Sequence, residues 1–89
     1  MTTVVATHGV GDMETWLAGG EDRQELFKTF CSSYRISKHV DRDEVSLIFE
    51  GVDLEKMNAT LSSPEASAAK AKHTVIDPID VYIEIENGA

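Results

Sequence analysis

The chain has 89 residues, enough for one domain, and its 42% hydrophobic and 27% charged residues are the balance of a globular protein with a modest core. A net charge of -8 opposes binding to nucleic acid or to an anionic membrane surface. The single cysteine, Cys31, rules out an internal disulfide and suits a reducing compartment, and no apolar run approaches the roughly 20 residues of a membrane span, so a cytoplasmic protein without a signal peptide is expected.

Taken in order, Thr3 to Gly9 is short and rich in β-branched residues, which predicts a strand. Gly9, Val10 and Gly11 form its exit. Asp12 is positioned to cap a helix, with Met13 and Glu14 in the first turn, where acids suit the helix dipole. Met13, Trp16 and Leu17 recur at helical spacing, as do Phe27, Phe30 and Cys31 further on. Gly19-Gly20 stands between them, at about 1 kcal/mol per glycine relative to alanine in a helix interior. Two paths fit. The helix ends at Ala18, with Gly19 left-handed, and restarts near Glu21. Or it runs through, since Gly20 shares a stripe with Met13, Trp16, Leu17, Gln24 and Phe27. A break or kink is the favoured path.

Tyr34 to Glu50 reads as two strands around the polar stretch Asp41 to Glu44. Closing Val40 on Val45 sets Lys38 opposite Leu47, Ile36 opposite Phe49 and Arg35 opposite Glu50. One face then carries Tyr34, Ile36, Val40, Val45, Leu47 and Phe49, a core set. The other carries Arg35, Ser37, His39, Ser46, Ile48 and Glu50, a mixed set. Gly51 ends the second strand. Asp53 caps a short helix, LEKMNATLSS, with Leu54, Met57 and Leu61 inward. Ser63 as N-cap and Pro64 at the first position open another helix, whose EASAAKAKH run has little apolar bulk. Asp77-Pro78 breaks it. IDVYIEIE, residues 79–86, is the last strand, with Ile79, Val81, Ile83 and Ile85 alternating against Asp80, Tyr82, Glu84 and Glu86. Asn87-Gly88-Ala89 is a frayed tail.

The order strand, helix, strand, strand, helix, strand predicts one α+β domain over residues 1–89. Its fold is ferredoxin-like, βαββαβ, with a four-stranded antiparallel sheet and helices on one face. The first and third strands are central. The other face, with Ile48, Tyr82 and part of the first strand, is left bare, and a second copy covering it is the simplest remedy.

VVATHGVGDMETW (Val4 to Trp16), SLIFEGVDLEKMNATLSSPE (Ser46 to Glu65) and VYIEI (Val81 to Ile85) give the chain a resemblance to the dimeric α/β-barrel superfamily. That group includes antibiotic-biosynthesis monooxygenase-like and stress-responsive barrel proteins, and the chain is most similar to its small bacterial members. The pattern that carries it is the element order, with Trp16 four residues after the helix-opening Asp12. The resemblance implies a homodimer with facing sheets and a cavity between sheet and helices or inside the barrel. Some members are cofactor-free oxygenases, some bind or degrade haem, and many have no known activity. Similar proteins often place a bulky residue four positions after the Trp, where this chain has Gly20; that implies a gap beside Trp16.

Few residues bear chemistry. His8, on a central strand, is the catalytic candidate, as a general base or ligand; its bland reading is a hydrogen-bonded histidine near a strand end. His39 near the turn is expected to be solvated. His73 ends the second helical region, where a cation suits the dipole. The three histidines lack metal-ligand spacing, and no glycine-rich phosphate loop is present, so neither metal nor cofactor is called for. Trp16 is a core residue or the aromatic wall of a pocket. Arg35 and Glu50 form a cross-strand ion pair that, with Tyr82, orients a polar ligand or fixes dimer register. Cys31 is a small core residue. Two functions follow. The first is a homodimer that binds a small hydrophobic or aromatic molecule, or serves as an interaction module. The alternative is a cofactor-independent monooxygenase-like enzyme acting on a small aromatic compound, with His8, Trp16, Tyr82 and Glu50 bordering one cavity.

Overall fold

Alternation along two strands organises the molecule, and a computed structural model describes residues 2–85 of it. On β1 (Thr2–Val10), Val4, Ala6, His8 and Val10 are buried while their neighbours are part-exposed. On β3 (Glu44–Val52), Val45, Leu47 and Phe49 are buried in the same way. Successive strand residues point to opposite faces, so these residues form one continuous apolar surface. The helices all lie on that side: α1 (Met13–Ala18), α2 (Gly20–Phe27), α3 (Leu54–Leu61) and α4 (Pro64–Lys72). With β2 (Ser33–Lys38) and β4 (Val75–Ile83) the sheet is antiparallel in the order β2-β3-β1-β4. The expected ferredoxin-like fold and its two central strands are thus observed.

The predicted caps form. Asp12 accepts from Thr15 N at 3.0 Å, Asp53 from Lys56 N at 3.1 Å, and Ser63 Oγ from Ala66 N at 3.2 Å. Gly51 adopts φ 61°, in the left-handed region that glycine tolerates, and lies where the β1–β3 register shifts. The strand runs one residue past it, to Val52.

The hairpin register differs from the predicted one by two residues. Lys38 faces Val45, Ile36 faces Leu47 and Arg35 faces Ile48. The reason is His39. Its Nδ1 accepts from Asp41 N at 3.0 Å and Arg42 N at 3.1 Å, and its backbone N donates to Glu44 O at 2.8 Å. The loop therefore includes His39 and Val40, leaving Val40 89% exposed and His39 half-buried rather than solvated. A two-residue slip preserves parity, so the core face of β3 is unchanged.

β4 also begins earlier than predicted. Asp77-Pro78 does not break the helix; it lies inside the strand, between the Gly9–Ile76 and Thr7–Asp80 pairings where the register shifts. Proline is tolerated there because β4 is an edge strand. The strand ends at Ile83, so Ile85 falls beyond it; Glu86 and the tail Asn87-Gly88-Ala89 lie outside the described residues. Leu54 and Leu61, expected inward, are 39% and 40% exposed, and Leu17 is 61% exposed, because α1 and α3 are short and bury only Trp16 and Met57.

The core is an aromatic cluster roofed by helix. Phe49 on β3 meets Phe27 at 4.9 Å and Phe30 at 5.3 Å between ring centroids, and Phe27 meets Tyr34 edge-on at 5.1 Å. Such geometry adds to burial of large rings. Phe49→Ala is expected to cost about 3–5 kcal/mol, a large part of a small domain's stability, measured by urea denaturation with an unchanged m-value.

Candidate functional site

The helices do not fill the space they enclose. The inner side of α4 presents Ala66, Ala69 and Lys70, followed by the cap residue His73, and Ala6 lies on the sheet below. Alanines where a bundle would carry leucines leave a void, and a cavity of about 140 Å³ remains between α4, α2 and the sheet. Leu26, Phe27, Leu47, Phe49, Val75 and Ile79 supply its apolar walls. Val81, half-exposed on the β4 edge, also lines it.

The charge around this cavity is opposite to that of the chain. Net charge is -8, yet the ionisable side chains lining the cavity are His8, Arg23, Lys70 and His73, with no carboxylate among the described lining residues. Lys70 is satisfied at the surface by Asp77, at 3.2 Å. The other three are buried.

His8 projects from β1 into the helix side. Its Nδ1 lies 2.8 Å from Gly9 O, and the carbonyl can only accept, so that nitrogen carries the proton and Nε2 is free to accept one. The ring stands edge-on to Trp16, centroids 5.9 Å apart. Trp16 is 1% exposed and is both core residue and cavity wall.

Arg23 is held by the helix break. In a continuous helix Trp16 O would accept from Gly20 N. Here α1 stops at Ala18, and Trp16 O accepts from Gly19 N at 3.1 Å and from Arg23 Nη1 at 2.6 Å. The guanidinium lies flat over the Trp16 ring, 3.8 Å from its centroid, a cation–π contact. Burial pulls the Arg23 pKa below its ordinary value, with Tyr34 and Asp22 acting in the opposite direction; the group remains a cation. Its Nε is buried and has no hydrogen-bond partner among the described residues.

His73 explains Gly19. A Cβ at residue 19 would lie 2.5 Å from the imidazole Cε1 and Nε2 atoms, so only glycine lets α1 approach the end of α4. Gly19 has φ -86°, so the expected left-handed conformation is not adopted; close approach, rather than backbone twist, requires glycine. Nothing lies within 4 Å of a Cβ built at Gly20. His73 caps the end of α4 as expected, but its ring is buried, 3% exposed. Thr74 follows it at φ 59°, a strained conformation for a β-branched residue. It is held by Gly11 N donating to Thr74 O at 2.8 Å and by Asp12 N donating to Thr74 Oγ1 at 3.0 Å. His73 Nε2 has no well-aligned hydrogen-bond partner among the described residues and lies 3.4 Å from an Asp22 oxygen. The Lys72 ammonium, hydrogen-bonded to Asp22 at 3.1 Å, holds that carboxyl below the usual range, and His73 adds to the effect.

The other predicted site residues are not here. Arg35, Glu50 and Tyr82 lie on the opposite, bare face of the sheet, because they occupy the strand positions of opposite parity to His8. One cavity bordered by His8, Trp16, Tyr82 and Glu50 therefore does not exist within the chain: the sheet lies between the two pairs. The Arg35–Glu50 ion pair does form, at 3.0 Å, but diagonally, since Arg35 opposes Ile48. Glu50 also accepts from Thr3 Oγ1 at 3.0 Å. Cys31 packs against the core and donates to Phe27 O at 3.3 Å; burial raises its pKa, which leaves it an inert thiol. Sequence reasoning passed over Arg23, although it sits seven residues after Trp16 and four before Phe27, on the buried stripe. Charged residues at such positions are ordinarily assigned to solvent.

No family model matches this chain, and no curated protein matches it in sequence. Solved structures do match its fold. A Bordetella bronchiseptica protein assigned as an antibiotic biosynthesis monooxygenase superposes with a TM-score of 0.74 at 14% identity, covering 96% of this chain and 95% of that one. Protein Atu4242 from Agrobacterium tumefaciens gives 0.68 at 17% identity over 96% and 92%. A Deinococcus radiodurans protein, also assigned as an antibiotic biosynthesis monooxygenase, gives 0.59 at 17% identity over 97% and 94%. The resemblance drawn from sequence thus holds as a likeness of fold to structures of the antibiotic biosynthesis monooxygenase group.

Two outcomes are expected of the His73 contact. Gly19→Ala should destabilise by about 1–3 kcal/mol through overpacking, read by thermal or urea unfolding. Asp22→Asn should slightly lower the melting temperature at neutral pH. A carboxyl with a lowered folded-state pKa stabilises above its unfolded value and loses that contribution as pH falls, so the difference from wild type should vanish in acid.

Proposed function

We propose that this protein binds a small apolar or aromatic molecule in the cavity between sheet and helices, as a cytoplasmic homodimer joined through its bare sheet faces. The observation that carries the reading is an apolar-walled cavity edged by a few buried polar side chains, the usual make-up of a ligand site. Trp16 forms an aromatic wall. The bare face supports the dimer. Arg35, Ile48, Val5 and Tyr82 are successive cross-strand partners, so they form one row across the sheet, apolar in the middle and polar at one end. Tyr82 is 58% exposed in the isolated chain. A facing copy would cover this row and enclose the Arg35–Glu50 pair, which is exposed in the isolated chain and contributes little to its stability.

A second reading is cofactor-independent oxygenation of a small aromatic compound. The names of the fold relatives favour it, and so does His8, whose Nδ1 is tied to a carbonyl and whose Nε2 is left to accept a proton from a phenolic substrate. Fold alone does not assign that chemistry.

Trp16 is the only tryptophan, so its fluorescence reports on the cavity. Titration with small aromatic compounds should change that emission saturably, and no change with any of them would remove the binding reading. Turnover in a quinol or polyketide-like screen that is abolished in His8→Ala would favour the second reading over the first. Light scattering should give a dimer at micromolar concentration, weakened in Ile48→Lys. A monomeric wild type, or an unaffected variant, would mean that this face is not shared.

A further inference from the structure

Arg23 carries a charge that no carboxylate among the described residues pairs with in a salt bridge. It is 7% exposed, its nearest acceptor is the Trp16 carbonyl, and no carboxylate lines the cavity among the described residues. The neighbouring acid, Asp22, is engaged with Lys72 and His73. A buried cation is strongly disfavoured unless it is paired and hydrogen-bonded. Stacking on Trp16 and the carbonyl end of α1 offset part of this, but Nε is left with a proton and no acceptor among the described residues. His8 and His73 line the same cavity, so every buried ionisable group around it is a base. The charge that complements this lining is negative.

We propose that the ligand of this cavity is an apolar molecule bearing a single carboxylate, which pairs with the guanidinium of Arg23 while its hydrocarbon part lies against the apolar walls. This rests on the cavity being a ligand site and adds the chemical class of the ligand. The Arg23 guanidinium is suited to this by its placement. Its flat face is spent on Trp16, so its edge is what remains for oxygen, and guanidinium edges match carboxylates. The rest of the acidic surface repels anions at long range. Selection is therefore by fit inside the cavity rather than by steering.

The test uses a matched pair, 4-isopropylbenzoate and its neutral amide 4-isopropylbenzamide, titrated into the full chain by Trp16 fluorescence and by NMR. The proposal expects the carboxylate to bind wild type more tightly by on the order of tenfold or more. In Arg23→Met the preference should collapse to within about threefold, and in Arg23→Lys part of it should return, since a point charge replaces a directed fork. Equal affinity of the two compounds for wild type would overturn the anion anchor while leaving the apolar cavity as a binding site. Binding of neither would overturn both. If Arg23→Met does not fold, the wild-type comparison still decides, and so does the expected loss of benzoate but not benzamide affinity on Arg23→Lys.

Discussion

The structure depends on the one-sided burial of β1. Val4, Ala6, His8 and Val10 point to the helices, and β3 answers with Val45, Leu47 and Phe49. Because side chains alternate, the same constraint determines what the bare face carries and which residues can ever meet. It separates His8 and Trp16 from Arg35, Glu50 and Tyr82 more firmly than any distance in sequence suggests. It also makes register slips by two residues harmless and slips by one ruinous. The hairpin takes the harmless kind.

Above that sheet, the helix layer is assembled around a defect. The break at Gly19 frees the Trp16 carbonyl, Arg23 takes it, and the guanidinium is thereby laid on the indole. The same glycine admits the His73 ring, which Thr74 holds in place through a strained turn stitched to Gly11 and Asp12. Such strain persists only where neighbouring contacts over-determine it. The consequence is that buried basic groups line an apolar cavity, in a chain whose net charge is strongly negative. Local conflict of this kind, between burial and charge, is where natural folds depart from the rules that make them stable.

Much of the fold was legible from residues alone. Asp12, Asp53 and Ser63 announced helix starts because each offers a side-chain oxygen to an otherwise unpaired backbone N–H, a local property. Alternation at 44–50 announced the core face of β3. The predicted pairing of Val40 with Val45 failed because a histidine acting as turn acceptor has no composition signature. The Asp77-Pro78 boundary failed because an edge position, which makes proline acceptable within a strand, is known only from the finished sheet. Of the site, Trp16 and His8 were legible and lie in the cavity. Arg23 and His73 were not, since their burial arises from contacts seven and about fifty residues apart.

By itself, then, the order of residues determined the elements, their caps and the two faces of each strand, because these follow from interactions within a few positions. Only the tertiary structure decided which face each polar side chain shares with which partner, that α4's alanines leave a void, and that four basic groups surround it. Those outcomes come from packing between segments far apart in the chain, where space and charge are set by neighbours that no local pattern names.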